Sequence, residues 1–226
     1  MADIKAEQED LGISSEQRLP FSAAILNGGH ARRFGRIDKQ DVEIDGVPIG
    51  LMLASQLSKI AQELLIVGKP QKSYESLGAS QFEDDIKEGG PACGLLTALV
   101  HASFDWVCLC AVDMPFVSLE LIRYLYVQSM SKDVDIVLCK TEKSLQPFFA
   151  FYNKHLVFEL YSYIQSGSDL SLWHFIKIKN HLIIHENEII SLCDPRLVFQ
   201  NINDRRSLEE ARRQVLGLNT FHIMEE

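Results

Sequence analysis

The sequence predicts an α/β fold, a three-layer sandwich in which a mostly parallel sheet is covered by helices on both faces. Two observations carry this. Short, continuous apolar runs recur along the chain, as in strands buried on both faces. Between them lie stretches whose apolar residues are spaced by three and four, as in helices with one buried stripe. Regular alternation of the two implies strands joined by crossover helices, with ligands bound outside the carboxyl ends of the strands near a topological switch.

The first run, residues 21–26, breaks at Asn27-Gly28-Gly29, where a buried strand would end in a tight turn. Residues 48–62 carry Ile49, Leu53, Leu57 and Ile60 at helical spacing behind Pro48, a residue suited to a first helical turn. A second strand follows directly over 64–67. A Gly89-Gly90-Pro91 break precedes a helix over 94–102 and a long strand over 106–112 that closes at Asp113. Ser118, with Leu121 at N3, is expected to cap the next helix, and residues 134–139 form the next strand. In the less regular second half we expect strands over 146–152 and 182–185 and a helix over 154–165. A terminal helix over 207–216 should be capped by Ser207 with Glu210 at N3. Trp106 and Trp173 are expected in the core, and His174, His181 and His185 at its edge or on the surface.

With 226 residues, 46% hydrophobic and 23% charged, the chain is long enough to bury a full core. One domain over 21–226 is expected behind a flexible, acidic extension over 1–20. The net charge of -9 and a pI near 5.3 exclude the broad basic face that nucleic-acid backbones require. No uncharged run approaches the roughly 20 residues of a membrane helix. The five cysteines, Cys93, Cys108, Cys110, Cys139 and Cys193, contain no CxxC pair and read as free thiols of a cytoplasmic protein.

The residues with chemistry lie where strands end. After the first strand, residues 26–39 read Leu26-Asn27-Gly28-Gly29-His30-Ala31-Arg32-Arg33-Phe34-Gly35-Arg36-Ile37-Asp38-Lys39. Paired glycines let main-chain N–H groups approach a polyphosphate, while Arg33 and Lys39 can neutralise it. Taken alone, a Gly-Gly pair is as readily a simple turn, and Arg32 and Arg36 are as readily solvated. Asp113, in Asp113-Met114-Pro115-Phe116, offers the hard oxygen that Mg²⁺ takes from proteins, though by itself it could equally cap the turn. Gly90-Pro91-Ala92-Cys93-Gly94 enters a helix with little side-chain bulk, and Asp84 lies just upstream.

In this order the segments resemble the molybdenum cofactor guanylyltransferase family, also known as molybdopterin-guanine dinucleotide biosynthesis protein A. The matching pieces are Leu26-Asn27-Gly28-Gly29 with Arg33, Gly35, Asp38 and Lys39; Gly90-Pro91 with Gly94; Asp113-Met114-Pro115-Phe116; Gln146-Pro147-Phe148-Phe149-Ala150; and Asn201-Ile202-Asn203. The resemblance spans roughly residues 21–216. It implies a nucleotide-diphospho-sugar-transferase-like fold and transfer of GMP from GTP to molybdenum-bearing molybdopterin, with release of pyrophosphate.

Carried over residue by residue, Leu26, Asn27, Gly28, Gly29 and Lys39 hold the triphosphate, Asp84 and Gly94 lie near the guanosine, and Asp113 binds Mg²⁺. Asn203 falls near metal and phosphates, and Arg33, Lys39 and Asp113 are the catalytic set. GTP and the pterin are the implied small-molecule partners, and proteins that deliver or accept the cofactor are candidate protein partners. Asn27 stands where the family usually has alanine, and Phe34 where it has methionine. The second strand ends Ile66-Val67-Gly68, where some members carry an asparagine that helps read guanine; Asp84 and Asp85 both fit the upstream acid. Cytidylyl transfer, nucleotidyl transfer to another phosphorylated acceptor, and a non-catalytic nucleotide-binding domain are the competing readings.

Overall fold

Phe21, Ala23, Ala24 and Ile25 are all fully buried, so the first apolar run needs no polar face. The computed structural model describes residues 17–27, 38–84, 90–167 and 171–223, with side chains placed to residue 214. In chain order these form β1 (Leu19–Asn27), a hairpin of β2 (Glu43–Ile44) and β3 (Val47–Pro48), α1 (Ile49–Leu57), β4 (Ala61–Gly68), β5 (Ser80–Phe82), α2 (Gly90–His101) and β6 (Trp106–Ala111). There follow α3 (Leu119–Ser131), β7 (Ile136–Lys140), β8 (Leu145–Asn153), α4 (Val157–Gln165), α5 (Leu172–Lys177), β9 (His181–His185), α6 (Glu186–Ile189), α7 (Pro195–Val198) and α8 (Arg205–Ile223).

Among the described residues, one seven-stranded sheet runs in the order β5-β4-β1-β6-β8-β7-β9. Its neighbouring strands are parallel except that β8 runs antiparallel to both β6 and β7. The mostly parallel, three-layered α/β sheet is therefore as expected. Successive β1 side chains alternate between two cores: Ala23 and Ile25 face α1 and α3 through Leu53, Leu57, Leu121 and Leu125, while Ala24 faces α2, α4 and α5 through Leu95, Leu160 and Phe175. Phe21 meets Phe151 edge-on with ring centroids 5.0 Å apart. A third, smaller core joins Val42, Ile44 and Ile49 to Ile202, Leu208 and Ala211, fixing α8 against the hairpin.

Several boundaries differ from expectation. The sheet begins at Leu19, which is 2% exposed, so Leu19 and Pro20 belong to it; the ladder shifts register there because proline has no N–H to donate. Residues 1–16 lie outside the described residues. Helix α1 stops at Leu57, and the helical spacing continues to Ile60 only because both side chains face the same core; the Ile60 N–H closes a turn on the Leu57 carbonyl at 3.1 Å. Gln62 is already in β4.

Ser118 caps α3 as expected, accepting the Leu121 N–H at 3.1 Å. Ser207 does not begin α8. Asp204 takes that place, accepting the Ser207 N–H at 2.9 Å, while the Ser207 hydroxyl accepts the Asp204 N–H at 3.1 Å, a reciprocal cap with serine at N3. Trp106 is buried, but Trp173 is 40% exposed with the Lys177 ammonium 4.2 Å from its ring centroid, because it lies on the outer side of the short α5. All five cysteines are free, and four are buried. No helix among the described residues is long and apolar enough to cross a membrane.

The amino ends of the central strands are tied by Glu63 of β4. Its carboxylate accepts the Ser103 N–H at 2.8 Å, the Ser103 hydroxyl at 2.6 Å and the Ser22 hydroxyl. Partial burial alone would raise its pKa, but these donors and the Lys154 ammonium together hold it below the ordinary glutamate value. A depressed acid stabilises the fold above its unfolded pKa and loses that contribution as pH falls through the folded one. We expect Glu63→Gln to cost on the order of 1 kcal/mol near neutrality, allowing for solvent screening, by urea titration. The difference from wild type should shrink as pH falls below the ordinary carboxylate range; a difference that grows with acid would rule this out.

Candidate active site

The carboxyl ends of β1, β4 and β6 lie side by side, Asn27 opposite Gly68 and Leu26 opposite Ala111. The chain leaves β1 towards α1 on one face and returns to β6 from α2 on the other. This places the topological switch between β1 and β6, where open α/β sheets bind ligands. At Gly68 the backbone takes φ +128°, and a Cβ there would lie 2.6 Å from the Asn27 carbonyl oxygen, so glycine alone permits this approach.

Three predicted residues converge beside the switch. Lys39 opens a 3₁₀ turn (Lys39–Asp41) at the entrance to the hairpin. Asp113 sits on the turn after β6, fixed by the Val112 N–H on the Leu26 carbonyl at 3.2 Å and the Met114 N–H on the Ala111 carbonyl at 3.0 Å. Val112 and Met114 are each 2% exposed, so they anchor the turn in the core while Asp113 faces the cleft. The Gln56 amide, on α1, steadies the same turn by donating to the Pro115 carbonyl at 2.9 Å.

Asn203 arrives from far along the chain. Fully buried Ile202 donates its N–H to the Asp113 carbonyl at 2.8 Å, setting Asn203 beside the aspartate. The Lys39 ammonium donates to the Asp113 carboxylate at 2.8 Å and to the Asn203 side-chain oxygen at 2.6 Å. Only 20% and 16% of the Lys39 and Asp113 side chains are exposed, so the pair is better shielded than an ordinary surface ion pair.

A second group lies on the α2 side. A Cβ built on Gly94 would meet the Leu26 Cδ2 at 3.0 Å and the Asp84 Oδ1 at 3.6 Å, so these three predicted residues adjoin one another at the first turns of the helix. The absence of a side chain at Gly94 lets α2 close on β1. The α2 helix starts at Gly90, earlier than the expected residue 94. Gly28, Gly29 and Arg33 lie outside the described residues, as do Arg32, Arg36 and Asp85. The Asn27 amide is engaged within the edge itself, donating to the Gln40 side-chain oxygen and to the Lys69 carbonyl at 3.3 Å.

Sequence reasoning missed several residues that shape this edge. Lys69 pairs with Asp38 at 2.6 Å, and the Gln71 amide donates to Asp41 at 2.6 Å, holding the turn after β4 against the Lys39 turn. Gln40 and Tyr74 are each 1% exposed and hydrogen-bond each other at 3.1 Å. A polar residue flanked by Lys39 and Asp41 gives no local sign that it is buried. The Asp45-Gly46 hairpin, with φ of 50° and 78°, did carry its usual sequence signature, unused. Phe149 and Ala150, inside the expected strand over 146–152 and the family segment, are fully buried core residues.

The fold is that of a nucleotidyltransferase. The structure of molybdopterin-guanine dinucleotide biosynthesis protein A from Archaeoglobus fulgidus shares the fold with a TM-score of 0.74 and 24% identity, over 87% of this chain and 99% of that one. A 2-C-methyl-D-erythritol 4-phosphate cytidylyltransferase from Thermus thermophilus shares it at 0.58 and 14% identity, over 85% and 97%. The chain belongs to the MobA-like NTP transferase domain family, whose model matches residues 23–181. It is 30% identical to the molybdenum cofactor guanylyltransferase of Syntrophotalea carbinolica over 89% of this chain and 94% of that protein.

Proposed function

We propose that this chain transfers GMP from GTP to molybdenum-bearing molybdopterin, in the cytoplasm. The observation that carries the reading is the meeting of Lys39, Asp113 and Asn203 beside the switch point. Its specificity for GTP and the pterin is supported by the names of relatives that match over nearly their whole length. A phosphate oxygen of the acceptor attacks the α-phosphorus of GTP, the bond to the β-phosphate oxygen breaks, and pyrophosphate leaves. The acceptor is already an anion, so no strong general base is required; the barrier is charge repulsion and alignment.

The cleft suits a small divalent cation. The Lys39 ammonium is held between hard oxygens from Asp113 and Asn203, the donor type that Mg²⁺ takes from proteins alongside substrate phosphates. Asp113 and Asn203 are the residues we assign to Mg²⁺, which when bound would offset charge on the transferred and leaving phosphates. Lys39, with Arg33, meets the same charge from the protein side. Leu26, Asn27, Gly28 and Gly29 line the triphosphate, and Asp84 and Gly94 the guanosine. Proteins that deliver the pterin or accept the product are proposed as further partners.

Calorimetric titration with GTP, CTP, UTP and ATP in Mg²⁺ tests the base. GTP should bind at least about tenfold tighter than the others, the discrimination one or two base hydrogen bonds supply. CTP binding as tightly as GTP would remove the guanylyl assignment while leaving the phosphate site untouched.

A further inference from the structure

The buried amide next to Lys39 has no evident reason to be polar. Gln40 is 1% exposed, and an apolar side chain of its size would fill the same space without the cost of desolvating an amide. Its side-chain oxygen instead accepts two hydrogen bonds, from the Tyr74 hydroxyl at 3.1 Å and from the Asn27 amide. Asn27 closes β1, and Tyr74 lies in a 3₁₀ turn (Lys72–Leu77) after β4. A third element is fitted to the same spot: on α1, a Cβ at Gly50 would lie 2.2 Å from the Tyr74 hydroxyl and 3.0 Å from the Gln40 Cβ, so α1 approaches only because that residue is glycine. Gln40 is thus fixed from three directions, while the side chain before it reaches into the cleft.

We propose that Gln40 and Tyr74 are positioning residues that set where the Lys39 ammonium stands, relative to Asp113 and to the incoming triphosphate. Each is 1% exposed and so cannot touch a nucleotide; any effect on nucleotide binding must pass through a neighbour. Two neighbours qualify, Asn27 through its bond to the Gln40 oxygen and Lys39, one residue from Gln40 on the same short turn; the effect is assigned to Lys39. Buried polar contacts are retained where they select one geometry over others, and a phosphate-binding ammonium on a short turn is sensitive to such selection. The inference rests on the assignment of Lys39 to the triphosphate.

The test is a double-mutant cycle read by GTP affinity in Mg²⁺, using calorimetry on wild type, Gln40→Leu, Lys39→Ala and the double variant. Gln40→Leu should weaken GTP binding about tenfold when Lys39 is present and cause no further loss in the Lys39→Ala background. Tyr74→Phe keeps the ring and removes one hydrogen bond; it should weaken binding about threefold, again only with Lys39 present, and it serves if Gln40→Leu does not fold. A purely structural role, or one exerted through Asn27, would weaken GTP equally in both backgrounds, which would overturn the proposal, as would a folded Gln40→Leu with wild-type affinity. Lys39→Ala binding GTP as wild type does would instead remove the assignment of Lys39 itself, and the positioning role with it.

Discussion

Asp113→Ala should lower guanylyl transfer by about 10³-fold and leave the fold intact. The aspartate supplies the one carboxylate among the three convergent side chains, and only 16% of its side chain is exposed, so no bulk ion readily replaces its charge. Without it the Lys39 ammonium keeps only the neutral Asn203 oxygen, and an entering divalent cation loses its charged protein ligand. The loss should fall on turnover more than on nucleotide affinity, because the charge matters most as the leaving phosphates develop theirs. Stability should change little: the contacts that shape the turn are main-chain bonds, including the Ile202 N–H on the Asp113 carbonyl, and they survive the substitution. Steady-state kinetics beside a thermal melt check both halves. An Asp113→Ala enzyme turning over at the wild-type rate would end the metal assignment.

Lys39→Met retains the aliphatic stem and deletes the charge, and here the expected loss is about 10²-fold in kcat/KM for GTP, chiefly through KM. The partner carboxylate makes the effect large. With Lys39 gone, only the divalent cation would screen Asp113 from the triphosphate, and two like unit charges about 4 Å apart at the dielectric of a partly shielded site repel by about 4 kcal/mol when unscreened, an upper bound on the loss. Divalent cations should recover part of this at high concentration. Lys39→Arg should rescue poorly, since a planar fork does not reproduce the compact point charge of the ammonium. Unchanged KM and kcat in Lys39→Met would show the residue to be ordinary surface.

Much of the fold was legible because the signals are local. Continuous apolar runs gave β1, β4 and β6, and Asp113 after an apolar strand is visible as an abrupt change of polarity. The reversal of β8 has a local cause too, the short link between Lys140 and Leu145, but it reads as a hairpin only once both strand ends are known. The start of α8 was misplaced because Asp204 and Ser207 are both good caps, and their reciprocal bonding decides which stands first.

The candidate site was legible in its charges and not in its supports. Lys39 and Asp113 stand out as charged groups at element ends, while Asn203 is marked only by the family resemblance. That they meet depends on Ile202 plugging the small core beside α8, a contact spanning most of the chain. Gln40 and Tyr74 are invisible to pattern, since neither spacing nor neighbours mark a buried amide or which hydroxyl it pairs with.

Gly68 carries a consequence for how selectivity can evolve here. Any side chain at that position would drive into the Asn27 carbonyl and pry apart the ends of β1 and β4. Position 68 is therefore barred from acquiring a base-reading side chain without loosening the strand pair at this edge. A side chain that distinguishes one nucleobase from another must then come from a different position, and the wall where Asp84 borders α2 is one such place. A change of base preference in this protein should arise by substitution elsewhere than at Gly68.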